Sequence, residues 1–512
     1  MSIEQRMLIL AIIFLPISEF IVKFPFVEGD CSKLFLFIGM CISIYKIFMN
    51  KESITAFEKF SLYFLLIFFL WQCICTILGI IEYDFYSMVY LEQMDKLRYL
   101  TQTLNGMGIV VSDITVIKLW LSFRFIKDCA LQTFFSYGIA IWVYHIYIKA
   151  DSNFQKNESI YSHIVFAISI LCIVLSGYSI FEIGYLRGNS FCADILRKIN
   201  PLLYNVADVH GWWPPLLWKG QLRSLFPEPS FFGLVSVLVV PFLFYSIMKF
   251  KKNFFFCWIY GLYLLMLFLT KARTALVLFI LQSFLFYIFV LKSQYGRKAL
   301  KIFFISVFSF LISVYLIAGF KGISNYEKLT DNSNMTTEIL KYVDNNITSV
   351  VGNKRSNNAR FANVRATFLT GVKHPLFGVG RGMSDAYVSD NFTEEDMQNN
   401  EVRWNWIYYM REKGVLKTPI PVLNQFSIEI AQFGIPGLLM YIFPIVFILK
   451  EMYHMLKYNL DLESVCVSIA YIGSVVALFP NKAFLTYYIL TGTMVLLLHN
   501  ERKERKINNE SD

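Results

Sequence analysis

Charge is what this chain has least of. Of its 512 residues only 16% are charged and 56% are hydrophobic, whereas about a quarter of the residues in soluble domains carry charge. Histidine is nearly as scarce, six in all with no His-Glu-x-x-His pair, so a metal enzyme is not expected. The nine cysteines lie in or beside apolar runs, Cys73 and Cys75 are too close to form a Cys-x-x-Cys, and none falls between Lys321 and Leu423. Neither a disulfide framework nor a zinc site is expected. No small-residue cleavage site follows the first apolar run; Lys-Phe-Pro-Phe does, so that run is read as a membrane segment. Internal repeats are missing, and the apolar runs read as free of deep charge. Both absences argue against a transporter built from two similar halves.

What is present in quantity is apolar length. The 50 Phe and 30 Tyr suit lipid-facing surface and interfacial belts. A helix that crosses a bilayer needs about 20 apolar residues. Runs of that kind fall at 7–22, 33–49, 60–81, 123–148, 161–183, 230–249, 254–270, 273–291, 302–319, 425–449, 463–480 and 483–499. The expected fold is therefore all-α, a polytopic bundle of about twelve membrane helices. Residues 1–319 hold the first nine, with an outer loop at 184–229; 320–423 form a large hydrophilic insert; 424–499 hold the last three; 500–512 are a polar tail expected to be disordered. The mixed stretch Glu82–Ser122 is expected to lie along the membrane surface as an amphipathic piece.

The net charge of +10 does not point to nucleic acid. Placing the N-terminus in the cytoplasm and alternating puts the basic clusters, such as Lys249, Lys251 and Lys252, and Arg297, Lys298 and Lys301, on inward-facing connections. That is the positive-inside pattern. Both termini are then cytoplasmic and the large insert faces outward.

Three arginines gather toward that outer side. Arg223 precedes Ser-Leu-Phe-Pro-Glu-Pro-Ser, Arg273 ends Leu-Thr-Lys-Ala-Arg, and Arg360 lies in the insert. A lone arginine at an interface is an ordinary anchor. Three converging on one face fit a clamp for pyrophosphate, since the guanidinium fork matches phosphate oxygens. Glu228, held between two prolines, is placed to act as a base, to orient an arginine, or simply to complement a helix dipole. The run His374-Pro-Leu-Phe-Gly-Val-Gly-Arg-Gly satisfies neither phosphate-loop pattern and reads first as a tight turn. Asn424 and Gln425, at the next helix entry, read as caps or interhelical glue.

In their order, these pieces resemble the O-antigen ligase and polymerase family of integral-membrane glycosyltransferases. Arg223 with Pro-Glu-Pro-Ser is similar to the arginine motif before a middle helix. Leu-Thr-Lys-Ala-Arg273 is similar to Thr-x-Ser-Arg, with Ala272 where Ser is usual. Arg360 followed by His374 to Gly380 resembles the arginine-to-Gly-x-Gly block. Asn424 with Gly434-Ile-Pro-Gly437 resembles the re-entry motif. The resemblance covers roughly residues 220–440. It implies a GT-C-like membrane frame in the bacterial inner membrane, no cofactor, and undecaprenyl-pyrophosphate-linked glycans as substrates. The partners it implies are membrane lipid and a chain-length co-polymerase, with no nucleic acid. Arg223, Glu228, Arg360 and His374 would act in catalysis; Arg273, Arg365, Arg381 and Asn424 would bind substrate. Where ligases carry the histidine thought to activate the acceptor, this chain has Leu423, which favours the polymerase branch.

Overall fold

The computed structural model describes residues 1–49, 53–90, 94–109, 111–152, 160–206, 214–250, 253–290, 296–320, 355–417, 420–458 and 460–511. The described chain is helical. In order it forms α1 (Ile3–Ile13), α2 (Cys31–Met49), α3 (Ala56–Ile81), α4 (Asp95–Gly106), α5 (Asp113–Phe134), α6 (Tyr137–Ser152), α7 (Ile160–Leu186) and α8 (Ser190–Leu203). There follow α9 (Pro229–Lys249), α10 (Phe254–Leu269), α11 (Arg273–Val290), α12 (Gly296–Ala318), α13 (Arg355–Lys373), α14 (Ser384–Ser389), α15 (Tyr409–Lys413), α16 (Gln425–Tyr458), α17 (Leu462–Val476) and α18 (Leu485–Ser511).

Seven of these, α2, α3, α7, α9, α11, α12 and α16, are long and apolar enough to cross a membrane, and α10 and α17 are shorter apolar helices. The chain is thus a multi-pass helical membrane protein. α9 is the axis of the frame. It is apolar around its whole circumference and nearly every side chain is buried, as expected for a helix enclosed on all sides. α7, α10, α11, α17 and α18 pack around it. Gly233 lets α11 approach, since a Cβ there would lie 2.7 Å from the Ala275 Cβ.

Several expected segments differ. The run 7–22 is helical only to Ile13. The run 123–148 is two helices, broken at Phe135 and Ser136, where the Phe135 amide and the Ser136 hydroxyl turn back to the Leu131 and Thr133 carbonyls. The tail after Asn500 is not irregular: α18 continues to Ser511, with Arg502 pairing with Glu451 of α16 and Arg505 with Glu501 one turn back. The Glu82–Ser122 stretch contributes to a second apolar core. There Tyr83, Leu97, Val116 and Leu121 pack with Met383, Val402, Trp406 and Ile420 of the insert. The described part of the insert is therefore docked onto the ends of α3 and α5.

The docking is made by backbone. α16 carries a non-helical residue, Gly434 (φ 67°, ψ −172°), in a region that only glycine occupies comfortably. The break frees the carbonyls of Ala431, Gln432 and Phe433 from the helix. Val379 and Gly380 amides of the insert fill the first two at 2.8 and 3.0 Å. The Trp71 indole of α3 fills the third at 3.0 Å. In return the Ile435 amide donates to the Pro375 carbonyl at 2.7 Å. Buried backbone groups must be paired, and here a broken membrane helix is completed by a turn from outside it.

Candidate functional site

Arg223 is not on the outer surface. Its side chain is 1% exposed, its guanidinium donates to the Pro215 and Leu216 carbonyls at 3.1 and 3.4 Å and stacks 4.9 Å from the Tyr204 ring. Beneath it the buried carboxylate of Glu182 in α7 accepts the backbone amides of Arg223 (3.0 Å) and Ser224 (2.6 Å), which holds Ser224 in the left-handed region (φ 54°). In this placement Arg223 shapes the loop that leads into α9, its guanidinium held by backbone carbonyls of residues 215 and 216 and by the Tyr204 ring. Glu182 also corrects the reading of uncharged helices, as does Glu429 below. A lone acid in an apolar run was the available signal.

Arg273 and Arg360 do come together. The Arg273 guanidinium, at the first turn of α11, donates to the Asn357 amide oxygen at 2.6 Å, and Asn357 stands one turn before Arg360 on α13. The two guanidinium charges are close enough to oppose each other. Both remain partly accessible. Glu228 heads α9 at the same end of the frame, its carboxylate accepting from the Ser230 hydroxyl at 2.6 Å and making no side-chain cap.

A second charged group borders the first turn of α9 from another side. Glu429 of α16 is buried. One of its oxygens accepts from Gln425 (2.7 Å) and Gln132 (3.4 Å), and the other has no hydrogen-bond partner among the described residues. The charges of Arg381 and Lys482 act on it. Gln425 also accepts the Ala483 amide (2.9 Å), and Phe484 packs on Phe231 of α9 with ring centroids 5.7 Å apart, so the Lys482 loop is fixed over α16 and against α9. Burial first, then Arg381 and Lys33, push the Lys482 ammonium down to about 8 against the pull of Glu429. Sequence reading missed both Glu429 and Lys482.

The remaining candidates fall elsewhere. His374 closes α13 with its ring 5.2 Å from Tyr387, edge to face, and lies 14 residues beyond Arg360. At 1.5 Å per residue that is roughly 21 Å along the helix, too far to share one pyrophosphate with it. The Gly-x-Gly turn after it is the piece that seals α16, which leaves no open cradle for phosphate. Arg365 pairs with Asp396 and donates to the Thr393 hydroxyl at 3.3 Å. Asn424 is a cap, as expected: its side chain accepts the Ser427 amide (2.8 Å) and donates to the Phe479 carbonyl (2.7 Å).

Arg365 and Asn424 nevertheless border a long groove of ≈ 1500 Å³. Its mouth is polar, with Asn358 and Asn400, and its length is apolar, with Leu438, Ile445 and Leu449 of α16. Burial pushes the nearby Asp385 carboxyl up to about 7, against the backbone amide of Ile420.

These features define a class: a multi-pass helical membrane protein with a cationic mouth at one end and a groove that is polar at its rim and apolar along its length. Residues 258–442 match the family model described as O-antigen ligase, the family, ligase and polymerase together, that the arginine and Gly-x-Gly blocks resemble. The match takes in Arg273, Arg360, Arg365, His374, Arg381 and Asn424, and leaves out Arg223 and Glu228. No curated protein matches the chain.

Proposed function

We propose that this protein polymerises a bacterial surface polysaccharide at the outer face of the cytoplasmic membrane. It transfers the growing glycan from undecaprenyl pyrophosphate to the terminal hydroxyl of a lipid-linked repeat unit. The observation that carries the reading is the Arg273–Arg360 pair. Two like charges within electrostatic reach of each other are unfavourable alone, and a pyrophosphate between them offsets the repulsion while using both guanidinium forks.

The acceptor oxygen attacks the anomeric carbon, the bond from that carbon to the pyrophosphate oxygen breaks, and the hydroxyl proton leaves to a base. Glu228, at the head of α9, is the carboxylate assigned that proton. The arginines stabilise charge that grows on the leaving pyrophosphate, which is where fixed donors are most effective. The groove along α16 supplies a path for a polyprenyl chain, with Arg365 and Asn424 at the end where the head group enters. Leu423, packed against the second core, has no proton chemistry, and this favours polymerase over ligase.

The test is a surface-glycan gel from a deletion strain complemented with the natural chain, Arg273→Ala or Arg360→Ala, with membrane levels measured on the same samples. Loss of the ladder, with a single repeat unit left on its anchor and protein levels unchanged, is the expected result. Full-length polymer retained on the carrier beside a bare anchor would make the protein a ligase. An unchanged ladder would sink both.

A further inference from the structure

At the end of the frame opposite the Arg273–Arg360 mouth, α10 and α12 begin side by side. Lys301 Nζ donates to the side-chain oxygen of Asn253, just ahead of α10, at 3.2 Å, and Lys298 Nζ donates to the Met248 carbonyl at 2.5 Å. Between the two helices runs a trough of ≈ 930 Å³, at the upper end of the ~300–1,000 Å³ usual for ligand pockets. Its walls are Trp258, Leu262, Leu265, Phe304 and Phe308. Gly261 opens the floor: a Cβ there would meet only Ile305 at 3.4 Å and Ser309 at 3.7 Å.

One end of the trough is cationic. Arg297 and Lys301 line it, one turn apart on α12 and both exposed. Among the described residues no carboxylate pairs with either. Glu463, an acid at this end, is engaged by Lys249 at 3.3 Å and by Tyr245 at 2.8 Å. An apolar channel with two uncompensated cations at one end is complementary to an amphiphile with an anionic head. An uncharged surface would solvate any lipid; this one distinguishes by charge and by a preformed slot.

We propose that the α10–α12 trough is a binding site for an anionic glycerophospholipid, with an acyl chain along Gly261 and the head-group phosphate on Arg297 and Lys301. The polyprenyl carrier is not the occupant. The cationic end lies a full helix, about 24 Å at 1.5 Å per residue for α10, from the arginines that face pyrophosphate. The site is independent of the proposed reaction.

The test is native mass spectrometry of the full chain, purified in mild detergent and offered phosphatidylglycerol or phosphatidylcholine with identical acyl chains. The natural protein is expected to retain phosphatidylglycerol in preference. The double variant Arg297→Gln, Lys301→Gln is expected to bind it about 30-fold more weakly, from two basic contacts at a membrane surface. Gly261→Leu keeps both charges and fills the floor, and is expected to lose the preference as well. Both charged side chains are exposed, so the double variant tests the site even if Gly261→Leu does not fold. Equal retention of the two lipids, or a preference that survives both variants, would overturn the proposal. Displacement of phosphatidylglycerol by polyprenyl phosphate would overturn it too.

Discussion

Replacing Gly434 by Ala tests whether the insert holds the frame together. Alanine in this backbone region costs about 1–3 kcal/mol. Its Cβ would also lie 2.3 Å from the Leu376 carbonyl oxygen and 2.7 Å from that of Pro375, so the turn must withdraw. Withdrawal breaks the turn's bonds to Ala431, Gln432 and Ile435 described above, at roughly 1 kcal/mol net each. The sum is about 5 kcal/mol. For a chain this long it should lower the melting temperature of the purified protein in detergent by roughly 5–10 °C, since the shift per kcal/mol falls with size. Gly177→Ala in α7, where nothing lies within 4 Å of the added Cβ, is the control. Gly378→Ala (φ 64°, Cβ 2.5 Å from the Gln432 carbonyl carbon) attacks the same joint from the other side. Because both changes open one interface, the double variant should cost little more than either alone. Melting of Gly434→Ala within about 1 °C of the control, or full additivity with Gly378→Ala, would refute the reasoning.

Arg223→Ala leaves the Glu182 carboxylate buried without its cationic neighbour, so it should cost about 3–5 kcal/mol; membrane abundance falls while turnover per folded molecule is kept. Arg273→Lys keeps the charge but not the fork. It should reduce ladder formation by roughly tenfold or more at unchanged protein level, and equal turnover would remove the pyrophosphate assignment. The Asp385 carboxyl, raised by burial to about 7 from an ordinary 3.8, binds its proton more tightly in the folded chain than in the unfolded one. Its contribution to stability is therefore lost as pH rises between those values. Asp385→Asn should be the more stable form at pH 8, with its advantage gone by about pH 4; a constant difference across that range would show that Asp385 is not the titrating group.

The membrane frame was legible because apolar length is a local property, and the approach of Arg273 to Arg360 was legible because Arg273 opens an apolar run on the side from which the insert carrying Arg360 emerges. Asn424 behaved as residue type and position indicate. Arg223 sits at an equivalent boundary but points inward, because Glu182, 41 positions earlier, anchors its backbone. No local pattern reveals that. The Gly-x-Gly turn was rightly read as a turn, yet its role lies in carbonyls released by Gly434 on a distant helix. The break at Phe135 and Ser136 was hidden because the hydropathy of 123–148 is continuous while its helix is not.

The joint at Gly434 also orders assembly in time. The Trp71 indole in α3 meets the Phe433 carbonyl 362 positions later. At a synthesis rate of about 5–20 residues per second, α3 spends roughly 20–70 s in the membrane before its partner exists. Throughout that interval the face that receives the turn, at Trp71, Cys75 and Gly79, stands open to lipid or to an insertion chaperone. A ribosome that stalls before α16 leaves a chain whose early helices are inserted but unlatched. Until the re-entry helix is made, this one face has no partner in the chain.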